Sequence, residues 1–137
     1  MLVYRGYSRA APQSTVLTIG NFDGVHRGHR ALLARLKTVA AGVGLPSAVL
    51  TFEPHPREFF AADSAPARLT TLREKLERLA ADGVDLAYVC HFNARFAALT
   101  AEEFIDRVLV DALRVKHLLV GDDFRFGARR TGDFALL

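Results

Sequence analysis

Residues 16–40, VLTIGNFDGVHRGHRALLARLKTVA, give the clearest indication of the fold. This stretch opens with a short apolar run, passes through a segment punctuated by glycines, and continues with leucines spaced at helical intervals. A strand, a glycine-containing loop and a helix in that order are typical of the first unit of a parallel α/β sheet. Gly42 follows the last apolar helical position and is expected to close the helix.

The same alternation continues along the chain. Short apolar runs occupy residues 16–20, 48–52, 86–92 and 117–120, and they are near-continuous rather than alternating. That pattern is typical of strands covered on both faces. With helical patterns between the runs, the sequence predicts a three-layer, Rossmann-like α/β fold with a parallel sheet and right-handed crossovers.

Two later helices carry start signals. A threonine followed three residues later by a glutamate has capping-box spacing, and this occurs at Thr71 and Glu74 and again at Thr100 and Glu103. The apolar positions that follow are Leu72, Leu76 and Leu79 in the first helix and Phe104, Ile105, Val108 and Leu109 in the second. Gly83 is placed to end the first helix, whose charged residues are expected to face solvent; we interpret that helix as scaffold.

Composition limits the class of protein. The chain has 137 residues, of which 50% are hydrophobic and 24% charged, and this length suits one globular domain. A single cysteine, Cys90, excludes an internal disulfide and a cysteine-rich metal cage, and we expect a cytoplasmic location and a buried role for that thiol. The net charge of +3 is spread along the chain, which suits small anionic ligands rather than nucleic acid, and no stretch predicts a signal peptide or a membrane span.

The loop after the first predicted strand carries the strongest functional signal. His26 and His29 are three residues apart at the start of a helix, so both imidazoles are expected on one face near the positive end of the helix dipole. Such a site suits the phosphates of a nucleotide. Half of a zinc site is an alternative that would need a third ligand such as His55, although no HExxH-like spacing occurs; a purely structural role is another.

Two further segments follow predicted strands at the same edge of the sheet. In FEPHPREFF, residues 52–60, two prolines fix a turn and several phenylalanines offer apolar surface to a flat ring. In GDDFRFG, residues 121–127, Phe124 and Phe126 alternate with Asp123 and Arg125. A rigid turn with core phenylalanines and a surface hairpin are the alternative interpretations of these two segments.

Five co-linear segments resemble one family. GNFDGVHRGH (residues 20–29) resembles the HxGH signature of the nucleotidyltransferases, and in its extended form it resembles the bacterial FAD synthetases. The other segments are TFEPHPREFF (51–60), RLTTLREKLERLAADGVD (68–85), FAALTAEEFI (96–105) and LLVGDDFRFG (118–127). The resemblance covers essentially the whole chain.

The resemblance implies an FMN adenylyltransferase, which transfers AMP from ATP to FMN and releases pyrophosphate. It implies His26 and His29 as catalytic groups, with Mg²⁺ arriving on ATP. The residues implied for ATP binding are Gly20, Asn21, Phe22, Asp23, Gly24, His26 and His29. The residues implied for flavin binding are Phe52, Pro54, His55, Pro56, Asp123, Phe124, Arg125 and Phe126. Asp23 is ambiguous between holding the loop and placing magnesium, and we favour the loop.

Relatives in the family continue with a segment resembling RISSTxVR and then a riboflavin kinase domain. Neither occurs within residues 1–137, so we expect an adenylyltransferase domain that lacks its last strand and helix and that turns over weakly or not at all. Two other functions stay open: a noncatalytic module that binds nucleotide or flavin, and a nucleotidyltransferase that acts on another phosphate. The sequence does not give the oligomeric state.

Overall fold

The computed structural model describes residues 1–7, 11–22, 27–53, 71–120 and 132. Within them lies a five-stranded, all-parallel sheet in the order β1-β4-β3-β2-β5. The strands are β1 (Leu2–Arg5), β2 (Thr15–Ile19), β3 (Ser47–Glu53), β4 (Leu86–His91) and β5 (Val115–Leu119). The predicted parallel α/β class and the four predicted strands are confirmed, with bounds shifted by one or two residues.

Helices cover both faces of the sheet. On one face, α1 (Arg27–Val43) and α2 (Leu72–Ala81) enclose a core cluster with Val16 and Val49. On the other, a short helix α3 (Ala94–Ala97) and a longer helix α4 (residues 101–112) enclose Leu17 and Leu50. Alternate residues of the central strands are therefore buried in two separate apolar layers, one on each face. This is why the sequences of these strands are continuous apolar runs.

Helix α1 ends later than the sequence predicted. Gly42 lies inside the helix, which runs to Val43, and the chain leaves it through Gly44 at φ +71°. Gly44 rather than Gly42 takes the left-handed conformation that commonly ends a helix, because only glycine adopts it without steric cost.

Helix α2 has the predicted ends but not the predicted buried face. Thr71 and Glu74 form a complete capping box, and Gly83 follows the helix at φ +86°. The fully buried residues are Lys75 and Leu79, whereas Leu72 and Leu76 are only half-buried. The expectation that every charged residue of this helix faces solvent was wrong for Lys75, which is 0% exposed.

Helix α4 is wound differently from the α-helix that the sequence predicted. Thr100 and Glu103 form the expected capping box over an α-turn at Ala101–Glu103, and a π-helix, Phe104–Ala112, continues from it. At its end, the Leu113 N–H donates to the Val108 carbonyl at 2.9 Å, a bond that spans five residues.

Strand β1 was not anticipated. It is four residues long, lies at the edge of the sheet and is largely exposed. Besides its backbone pairing with β4, the strand has one partly buried side chain, Tyr4, which stacks on Tyr88 with ring centroids 5.4 Å apart. A four-residue run with one such position carries little sequence signal.

Candidate functional site at the carboxyl edge of the sheet

The sheet has a topological switch point between β2 and β5. From β2 the chain crosses through α1 to β3 on one side, whereas β5 lies on the other side of β2. Thr18 pairs with Leu119, so the two strands end at the same edge. Ligands of open α/β sheets bind in the crevice beyond the strands' carboxyl ends at such a point.

The described residues include part of the predicted site. Gly20, Asn21, Phe22, His29 and Phe52 are described. The predicted residues that lie outside the described residues are Asp23, Gly24, His26, Pro54, His55, Pro56, Asp123, Phe124, Arg125 and Phe126. In the chain these residues follow β2, β3 and β5, and the carboxyl ends of the three strands lie at one edge of the sheet.

Three anchors fix the start of the loop after β2. The Gly20 N–H donates to the Leu50 carbonyl at 3.1 Å, and the Thr51 hydroxyl donates to the Asn21 carbonyl at 3.2 Å. Phe22 adopts φ +52° and places its ring in the core, where it is 1% exposed. Any contact of Phe22 with a nucleotide must therefore come from its backbone.

His29 lies in the first turn of α1 and is half-buried. Its ring packs against the Phe22 ring, with centroids 4.9 Å apart and planes inclined at 54°, and its Nδ1 is shielded from solvent. Packing against a buried ring restricts the rotamers of the imidazole, and the helix N-terminus beside it favours negative charge. This position suits a group that contacts phosphate oxygens.

Sequence reasoning missed Lys75. Its ammonium lies at the carboxyl edge of the sheet and donates to the Thr51 hydroxyl at 3.0 Å. A signal existed, because Leu72, Lys75, Leu76 and Leu79 follow the spacing of a buried helical stripe. A lysine inside such a stripe is unusual, since an ammonium group is costly to bury unless it is well solvated by protein groups.

Phe52 belongs to an aromatic cluster on the α3 and α4 side of the sheet. Its ring centroid lies 5.7 Å from that of Phe92 and 5.6 Å from that of Phe96, and Phe96 lies 6.1 Å from Phe104. Phe52 and Phe92 are half-buried, whereas Phe96 and Phe104 are buried. The cluster therefore offers partly open aromatic surface at the edge where ligands bind.

A cavity of about 600 Å³ adjoins this cluster at the ends of β1 and β4. Its walls include Tyr7, Phe96 and Leu99 together with the charged residues Arg95, Glu103 and Arg107. Burial raises the pKa of Tyr7, and it raises the pKa of the Cys90 thiol in the same wall to about 12. Cys90 is thus a buried neutral thiol, as the sequence predicted, and not a nucleophile.

Neither a metal-binding cluster nor a membrane-spanning helix occurs among the described residues. Residues 1–7, 11–22, 27–53, 71–120 and 132 contain no group of three or more histidine, cysteine, aspartate or glutamate side chains that could hold a metal ion. Nor does any helix in these ranges have the length and apolar character needed to cross a membrane.

The doubly wound parallel sheet, its switch point and the helix that starts there define a Rossmann-like α/β domain. The sequence profile of the FAD synthetase family matches residues 8–137. The chain belongs to the FAD synthetase family.

Individual relatives agree with this assignment. The chain is 62% identical over 130 residues to a bifunctional riboflavin kinase/FMN adenylyltransferase of Escherichia coli (strain K12), with 95% of this chain and 42% of that protein covered. It is 52% identical to the protein of the same name from Pseudomonas fluorescens, with 100% and 44% covered. The chain therefore spans about two-fifths of the length of these relatives.

A solved structure shares the fold. A crystal structure described as a macrolide-efflux protein from Streptococcus pneumoniae superposes with a TM-score of 0.80 at 26% identity, covering 96% of this chain and 44% of that one.

Proposed function

We propose that this domain is an FMN adenylyltransferase, which transfers AMP from ATP to FMN to give FAD and pyrophosphate. Membership of the FAD synthetase family supports the reaction. The observation that carries the proposal is His29, in the first turn of the 17-residue helix that follows β2 in the chain, with β2 lying at the switch point of the sheet. A triphosphate is the ligand that a helix N-terminus and an imidazole suit together.

The chemistry requires positioning rather than a protein nucleophile. The FMN phosphate attacks the α-phosphorus of ATP, and the bond to the pyrophosphate leaving group breaks. His26 and His29 donate hydrogen bonds to phosphate oxygens as negative charge develops on them, while the backbone of residues 20–24 packs around the nucleotide. Asp23 holds the loop.

Mg²⁺ enters as part of the substrate, MgATP, held largely by phosphates and water. The half-buried rings of Phe52 and Phe92 support an apolar site for the isoalloxazine ring, and the segments at 54–56 and 123–126 complete it. The partners are thus ATP and FMN, not nucleic acid or a membrane, and the setting is the cytoplasm.

The test is FAD formation from FMN, ATP and Mg²⁺, followed by chromatography at a high concentration of the purified chain, because only weak turnover is expected of residues 1–137. His29→Ala is expected to lower kcat at least about 100-fold, because one lost donor to a developing oxyanion has an effect of that order. His117→Ala replaces an exposed histidine on β5 and is the matched control, expected to leave kcat unchanged.

Two results would contradict the proposal. One is equal activity of the His29→Ala and His117→Ala variants. The other is adenylyl or cytidylyl transfer to phosphopantetheine or glycerol phosphate with none to FMN. Binding of ATP and FMN without turnover by this chain would favour the noncatalytic alternative.

A further inference from the structure

We propose that Lys75 is a positioning residue for the nucleotide loop, acting through Thr51 on the main chain at Asn21. This inference rests on the proposed function for its catalytic consequence. Its structural basis, a two-step hydrogen-bond relay from Lys75 on helix α2 to the main chain at Asn21, lies wholly within the described residues.

The direction of the relay follows from the donors present. An ammonium group only donates, so the Thr51 hydroxyl must accept from Lys75 Nζ. The single proton of that hydroxyl is then directed at the Asn21 carbonyl, 3.2 Å away. Lys75 thus decides which way the Thr51 hydroxyl points.

The carbonyl at the end of the relay is well placed to control the loop. Asn21 stands between Gly20, which is tied to β3 by its N–H, and Phe22, whose buried ring supports His29. Fixing the Asn21 carbonyl fixes the peptide plane that leads into the left-handed Phe22. Two backbone anchors directly before Phe22, together with the buried Phe22 ring, hold residues 20–22 in one conformation. This pre-organises the imidazole that the ring supports before ATP binds.

Burial makes the relay unusually rigid. Lys75 and Thr51 are each 0% exposed, so water does not compete for the hydrogen bonds between them. Arg73 and Glu77, on the same helix, form an ion pair whose side chains are 88% and 65% exposed. Lys75 is therefore set apart from the solvent-facing charges of its own helix.

The first test compares Lys75→Met with Arg73→Met. Both variants remove one positive charge from α2, but only the first breaks the relay. We expect Lys75→Met to speed amide hydrogen exchange in residues 20–29 and to lower kcat/KM for ATP about tenfold to a hundredfold, with KM for FMN unchanged. Arg73→Met is expected to match the wild-type chain in all three measurements.

The second test uses Thr51. Thr51→Val removes the hydroxyl at nearly constant volume and should reproduce the Lys75→Met effects. Thr51→Ser keeps the hydroxyl, so its exchange rates and kcat/KM should be close to those of the wild-type chain. Because both residues act through one carbonyl, the Lys75→Met/Thr51→Val double variant should be no worse than the poorer single variant. Each variant is measured well below its own unfolding midpoint.

The outcomes separate this inference from the proposed function. If the wild-type chain forms no FAD, the proposed activity fails for this chain, while hydrogen exchange and calorimetric ATP titration still decide the relay. The relay is refuted if the amide hydrogen-exchange rates of residues 20–29 in Lys75→Met and Thr51→Val equal those in Arg73→Met. It is also refuted if the two changes are additive, which would indicate independent structural roles.

Discussion

Gly20 shows how a single residue without a side chain sets the geometry of the site. A Cβ built on Gly20 would lie 2.8 Å from an atom of the Phe22 ring, closer than real Cβ atoms approach other groups. The ring cannot give way easily, because it is 1% exposed and packed in the core under α1. Gly20 is therefore required by the close return of the chain over its own buried phenylalanine.

We predict that Gly20→Ala destabilises the fold by about 1–3 kcal/mol, the cost of overpacking a filled core. It should also weaken ATP binding, because Phe22 supports His29. Gly42→Ala is the matched control: a Cβ there meets nothing within 4 Å, and Gly42 lies inside α1. That change should stabilise the fold by about 0.5–1 kcal/mol. Urea unfolding measures both, and equal midpoints would contradict the steric argument.

The N-terminus of a helix is the feature of an element that local sequence specifies most directly. In α2, Thr71 accepts from the Glu74 N–H while the Glu74 carboxylate accepts from the Thr71 N–H. The same reciprocal bonds join Thr100 and Glu103 at α4. Because each carboxylate accepts a backbone hydrogen bond, the pKa values of Glu74 and Glu103 are lowered.

Removing one cap tests this local contribution. Thr71→Ala should lower the free energy of unfolding by about 1 kcal/mol, since the Glu74 N–H loses its side-chain partner. Thr38→Ala, an exposed site in the middle of α1, should have little effect because the Thr38 hydroxyl bonds only to the Ala34 carbonyl, which helix bonding already serves. Denaturant unfolding of both variants checks this, and a similar loss from Thr38→Ala would contradict the cap as the cause.

The caps also predict a pH dependence. A carboxyl group whose pKa is lowered by folding stabilises the folded state above its unfolded pKa, about 4.3, and this contribution disappears as the pH falls through the folded value. The stability difference between the wild-type chain and Glu74→Gln should therefore be present near neutral pH and vanish in acid. A difference that stays constant between these conditions would exclude ionisation of Glu74 as its source.

The accessibility of the Cys90 thiol depends on the packing of the whole molecule, because the thiol lies between the sheet and the helices that cover it. Cys90 lies in β4 within the core on the α4 side and is 1% exposed. Burial raises its pKa to about 12, compared with about 8.5 for an unfolded cysteine. The folded chain therefore holds far less thiolate than the unfolded chain at mildly alkaline pH.

We expect a thiol reagent at about pH 8 to label the native chain at least about a thousandfold more slowly than the denatured chain, in proportion to the loss of thiolate. As a second consequence, stability should decline as the pH rises from about 8.5 towards the folded pKa, because only the unfolded thiol ionises readily there. Cys90→Ala should remove part of that alkaline decline. Rapid native labelling would indicate that the layer over β4 opens.

The parallel α/β class could be predicted before the structure was known, and so could both capping boxes and the burial of Cys90. These features depend on periodicity and on contacts between near neighbours. The candidate site could be predicted as far as its motifs: the sequence marked the loop after β2 and the strand carrying Phe52. It did not reveal that the Phe22 side chain turns into the core or that Gly44 ends α1, since backbone conformations there depend on what packs above them.

Three features could be seen only in the folded chain: the edge strand β1, the π-winding of Phe104–Ala112 and the burial of Lys75. Two of these features depend on partners distant in sequence: β1 on its ladder with β4, and Lys75 on a hydroxyl 24 residues away. From sequence alone, the side chain of a charged residue in an apolar stripe could face solvent or lie in the interior. The choice between them is made by hydrogen-bond partners that only folding brings within reach.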